Sequence, residues 1–148
     1  MVPAAPLRAA LGVLAAVLAV LTFHQGMVGL LHAAGVLPRP PYQLGPTGPL
    51  GVPVLVNLCF WGGLYGLAYG LALPRLPRRL PVELRGLCLG LLAALIGWFV
   101  VAPLKGQPVA GGWVPMAMLR SVLINGAWGI GTALLLHAFL TRRQAASA

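Results

Sequence analysis

Residues 52–73 read VPVLVNLCFWGGLYGLAYGLAL. The stretch carries no charge, and at 1.5 Å per residue it is as long as the roughly 20-residue helix that crosses a bilayer core. Gly62, Gly66 and Gly70 recur every fourth residue, so they share one helix face as a double GxxxG stripe, with Trp61, Tyr65 and Tyr69 running beside it. Lipid supplies no hydrophobic incentive for helices to associate, and small residues are what let two backbones approach there. Residues 52–73 therefore predict a spanning helix with one packing face.

The rest of the chain repeats the pattern. Between charges lie the uncharged intervals 9–38, 40–74, 86–104 and 121–141, each long enough for one span. Prolines 38, 40, 41, 46, 49 and 53 cannot occupy a helix interior and set a loop between the first two spans. The expectation is an all-α integral membrane bundle of four transmembrane helices near 7–33, 52–73, 84–101 and 114–140. A proline-rich loop (34–51), a basic loop (74–83) and a short tail (141–148) complete a single domain over 1–148. Gly86 and Gly90 repeat the small-residue spacing in the third span, as do Ala127 and Gly131 in the fourth. Spacing alone leaves open whether these stripes join helices of one chain or of two.

Composition agrees and excludes much chemistry. Of 148 residues, 59% are apolar and 7% charged, with ten Lys or Arg against a single acid, Glu83. Soluble domains carry about 25% charged residues. Paired-carboxylate glycosidases, two-aspartate proteases, Ser-His-Asp triads and carboxylate cation cages have no acids to use. The net charge of +9 comes from basic residues scattered beside apolar runs. That distribution suits anionic lipid headgroups at the cytoplasmic face and not nucleic acid. Cys59 and Cys88 fall inside apolar runs and read as small hydrophobes.

Cytoplasmic flanks are enriched in Lys and Arg. With an even number of spans, one side carries Arg8, Arg75, Arg78, Arg79, Arg85, Arg142 and Arg143, against Arg39, Lys105 and Arg120 on the other. Both termini are therefore expected in the cytoplasm, with Glu83 softening a basic turn. Reading the N-terminus as a secretory signal peptide fits less well, because its apolar run exceeds the usual 7–15-residue h-region. The Ala, Leu, Gly, Pro and Arg bias points to a GC-rich bacterial genome, hence the bacterial inner membrane.

Polar residues within spans are costly and mark sites to inspect. On this orientation His24 lies about 10 to 14 Å below the outer end of span one, beside Gln25; Asn57 lies about 8 Å and Asn125 about 15 Å below theirs. Arg120 sits nearer the surface, and Trp98 falls at a similar level. The expectation is a ligand pocket of His24, Gln25, Asn57, Arg120 and Asn125, open to the periplasm and capped by the proline-rich loop and by residues 105–113. Taken singly, each amide or histidine reads better as an interhelical hydrogen bond, and Arg120 as an interfacial anchor; their shared depth is what suggests the pocket. His24 is also the side chain suited to carrying a proton near neutral pH. Paired haem ligands must meet at one depth, and His24, His32 and His137 do not, so no cofactor and no metal are expected.

Known four-span families are tested by the residues their chemistry requires. Small multidrug exporters need an intramembrane glutamate, disulfide generators need loop cysteine pairs, lipoprotein signal peptidases need two aspartates, and fluoride channels need an early glycine- and arginine-containing motif; none fits. Through Phe23-His24-Gln25-Gly26, Gly51-Val52-Pro53, Phe60-Trp61-Gly62-Gly63 and Asn125-Gly126-Ala127-Trp128-Gly129, the chain resembles the small uncharacterised four-span proteins of bacterial inner membranes. The resemblance implies the bundle and no particular activity. The functional expectation is a non-enzymatic inner-membrane accessory or small-ligand and lipid-binding component, working alone, as a homo-oligomer or with a partner membrane protein. The alternative is a small oligomeric channel or transporter that uses the glycine stripe as its subunit contact.

Overall fold

The computed structural model describes residues 4–48, 50–77 and 79–146, apart from the side chain of Gln144. Pro49 and Arg78, used above for the loop and the charge balance, lie outside the described residues. Among the described residues four helices are long and apolar enough to cross a membrane: α1 (Ala5–Ala33), α2 (Val54–Arg75), α3 (Val82–Leu104) and α4 (Pro115–Ala145). One departure from an all-helical chain sits in the first loop, where Pro46–Thr47 pairs antiparallel with Val52–Pro53. Thr47 Oγ1 closes this small hairpin by donating to the Val52 carbonyl at 2.7 Å. Proline's fixed φ and missing N–H favour extended backbone at such a place. Residues 52–53 are thus strand, and α2 begins at Val54.

Helix ends follow local chemistry. Gly35, at φ +71°, terminates α1 in the left-handed conformation. Its N–H returns to the His32 carbonyl and that of Val36 to the Leu31 carbonyl, the paired bonds of a Schellman motif. His32 Nδ1, 2.9 Å from the Leu37 carbonyl, ties the departing chain to the same helix end. Both α1 and α3 contain one π-helical turn, Val20–His24 and Gly97–Val101. The second has a cause in the sequence: Pro103 has no N–H and its ring crowds the preceding turn, and a widened turn relieves both problems.

Helix α1 lies between α2 and α4, and α3 packs on α4. The α1/α2 and α3/α4 pairs are backbone-close and antiparallel. A Cβ placed on Gly66 would collide with the Gly12 carbonyl oxygen and the Ala16 methyl; one on Gly70 would collide with the Arg8 carbonyl oxygen. On Gly86 it would meet the Gly129 carbonyl oxygen at 2.5 Å, and on Gly90 it would collide with the Asn125 carbonyl oxygen. The partners of the α2 stripe are therefore Gly12 and Ala16 of α1. In α4 the residue facing α3 is Gly129, while Gly131 lies against the Phe23 ring of α1.

Side chains fill the remaining interior. Ala15, Ala16, Ala19, Val20, Tyr69, Leu89, Trp128, Ala133, Leu136 and Leu140 form the buried cluster. Trp128 links three helices: its Nε1–H donates to the Ala16 carbonyl at 3.1 Å, and its ring meets Tyr65 of α2 edge-on at 5.9 Å. At the end carrying the termini, Arg8 is buried and its Nε donates to the Gly70 carbonyl at 3.3 Å. Cys59 is half-buried and Cys88 exposed, and both are free thiols.

Candidate functional site

The proline-rich loop folds back over the helix ends instead of extending away from them. Tyr42, at φ +58°, is the residue that holds it there. Left-handed backbone costs a non-glycine residue roughly 1–2 kcal/mol, and two bonds offset it. The Tyr42 N–H donates to Gln25 Oε1 at 2.7 Å, and its hydroxyl donates to the Leu21 carbonyl at 2.9 Å. Leu21 belongs to the π turn of α1, where the regular ladder of helical bonds is interrupted. The irregular turn, the loop and Gln25 thus form one unit.

The loop and Gln25 form part of the wall of a half-open cavity of about 580 Å³, within the size range of small-ligand sites. Helix α1 contributes His24, Gln25 and Val28; the loop contributes residues 37–40 with Gln43, Gly45 and Pro46. Val54, Leu55 and Leu58 of α2 and Arg120 and Ile124 of α4 complete the wall. The lining combines cationic and amide side chains with aliphatic ones, so it offers both hydrogen-bond donors and apolar contact.

Hydrogen bonding fixes what the polar part offers. Gln25 is 4% exposed, and because its Oε1 accepts from Tyr42, its Nε2 is the atom 3.2 Å from His24 Nδ1. An amide NH₂ only donates, so Nδ1 accepts and the imidazole carries its proton on Nε2. Arg120 Nε is buried and has no hydrogen-bond partner. Guanidinium groups are donors without acceptors. No Asp or Glu lines the cavity, since Glu83 stands at the start of α3.

Of the five expected pocket residues, His24, Gln25 and Arg120 line this space. Asn57 and Asn125 do not. Asn125 turns to its own helix, donating through Nδ2 to the Ser121 carbonyl at 2.9 Å, and its backbone oxygen forms the close contact with Gly90. Residues 105–113 are absent from the lining, as is Trp98, which stacks edge-on with Phe99 at 6.4 Å; Phe99 in turn meets Trp113 at 6.2 Å. Tyr42 and Arg39 were missed as site residues. The signal for them was an aromatic and a cation embedded in prolines 38, 40 and 41, a stiff segment able to place side chains back over the helices. Among the described residues no group of three or more His, Cys, Asp or Glu is placed to hold a metal ion. Compared with known proteins, the chain matches no family model, no curated protein and no solved structure.

Proposed function

We propose that the chain is a multi-pass membrane protein that binds a small amphiphilic molecule beneath its first loop, as an accessory component without catalysis of its own. The observation that carries this reading is the half-open cavity beside the loop, which His24, Gln25 and Arg120 of two helices line together with aliphatic side chains. Two bonds from Tyr42 tie the loop to α1 beside this cavity, which supports the reading.

Membrane residence is supported by the surface. Phe60 is 59% exposed, Trp61 54% and Leu92 50%, within helices whose outward faces are apolar along their length. Water does not tolerate apolar patches of that extent on a monomer. The charge distribution supports termini in the cytoplasm and a cavity opening to the periplasm of a bacterial inner membrane. It also supports contact of Arg75, Arg79, Arg142 and Arg143 with anionic headgroups on the cytoplasmic side. The channel alternative drew on the glycine stripe as a subunit contact, and that stripe is occupied by α1 of the same chain. Any contact with a second copy or a partner protein would then use the apolar outer faces of the helices, such as Phe60 and Trp61 of α2 or Leu92 of α3.

The test is native mass spectrometry of protein extracted from its own membrane in a neutral detergent. A retained small molecule is expected, at one per chain, and its yield should fall in Arg120→Ala. Protein free of any adduct would contradict the binding role. Solute flux in liposomes that disappears in His24→Ala would favour the transporter reading instead.

A further inference from the structure

We propose that the ligand is an oxyanion-bearing amphiphile, its phosphate or carboxylate group held by Arg120 and Arg39 and by Nε2–H of His24, with its apolar part on Leu55, Leu58 and Ile124. The inference rests on the binding reading above and names the chemistry of the occupant.

Four observations converge on it. Arg120 and Arg39 reach one cavity from different elements, helix and loop. Arg120 Nε is buried without a partner, so part of the guanidinium is already desolvated, and an anion on its outer N–H groups would supply the counter-charge. The tautomer imposed by Gln25 makes His24 a further donor. Finally, no carboxylate lines the space to neutralise the two arginines. Planar guanidinium groups match phosphate and carboxylate in bidentate geometry, and a low-dielectric wall strengthens the pairing. A cationic head would be repelled by the two arginines, and a neutral acceptor would pair with these donors without neutralising their charge. Arg85 Nε is also buried and unpartnered, but it belongs to the opposite end of the bundle and to no described cavity.

The test titrates detergent-solubilised protein, followed by native mass spectrometry, with dioleoyl phosphatidic acid, dioleoylglycerol, which has the same chains and no oxyanion, and inorganic phosphate separately. Phosphatidic acid is expected to bind at least tenfold more tightly than dioleoylglycerol. Arg120→Gln should abolish that preference, Arg120→Lys should retain part of it, and Arg39→Gln, on the exposed loop, should weaken it several-fold. The double variant Arg142→Gln/Arg143→Gln, at the other end, should leave it unchanged. Inorganic phosphate binding as tightly as the lipid, with the same arginine dependence, would identify a free anion as the source and keep the site. Equal binding of both lipids, unaffected by Arg120→Gln and Arg39→Gln, would overturn the oxyanion assignment while leaving an amphiphile site. Loss of the preference only in the Arg142 and Arg143 variant would overturn it in favour of headgroup contact at the basic face. If no probe binds the wild-type chain, the binding reading falls with it.

Discussion

At Gly66 a single methyl group would overlap the Gly12 carbonyl oxygen and the Ala16 methyl. Backbone cannot yield as a flexible side chain does, so the helices must separate. Gly66→Ala is expected to destabilise the protein by roughly 1–3 kcal/mol, the range for overpacking, measured by denaturant unfolding in detergent. Gly26→Ala is the matched control: a Cβ there has nothing within 4 Å, and it should be neutral or slightly stabilising through helix propensity. Equal losses at both positions would refute the close approach. Gln25 makes a second prediction. Gln25→Leu removes the acceptor for the Tyr42 N–H, and a hydrogen bond contributes about 1 kcal/mol net. Amide exchange at Tyr42 should therefore accelerate about fivefold or more, and unchanged exchange would show that the loop is held otherwise. His24, Gln25 and Arg120 were legible as individuals because polar residues stand out against apolar spans. Asn125 stands out equally but satisfies its own helix, a choice that depends on rotamer and leaves no trace in spacing.

Between elements, Trp128 is the stitch. It bonds the α1 backbone at Ala16 and meets the Tyr65 ring of α2 while belonging to α4. Trp128→Phe should cost about 1–3 kcal/mol, combining lost volume with a lost hydrogen bond, and Trp61→Phe, on an exposed face, less than about 0.5 kcal/mol. Comparable losses for the two would contradict the placement of Trp128 in the core. The glycine stripes of α2 and α3 could be read directly, because GxxxG contrasts with bulky neighbours. Their partners were read less well. Gly12, Ala15, Ala16 and Ala19 share a small face set against Leu11, Leu14 and Leu18, a stripe present in the spacing but not picked out, whereas choosing Gly129 over Gly131 requires the rotation of α4. The π turns were invisible for the same reason, although Pro103 marks one of them after the fact.

Over the whole molecule, the number of helices is legible because it depends only on length, apolarity and the punctuation of proline and charge. Their order in space is not: spans that are apolar all round give no direction to the core, so the central position of α1 between α2 and α4 emerges only from the paired close contacts. The cavity likewise depends on a loop returning over the bundle, which composition describes merely as proline-rich. A photoreactive amino acid at Ile124, on the cavity wall, compared with one at Leu92, on an exposed helix face, tests the proposed binding site in intact membranes most directly. After irradiation and mass spectrometry of the adducts, position 124 should capture one dominant class of small oxyanion-bearing amphiphile while position 92 captures the bulk lipid mixture; the same lipid mixture at both positions would contradict a selective site beneath the loop.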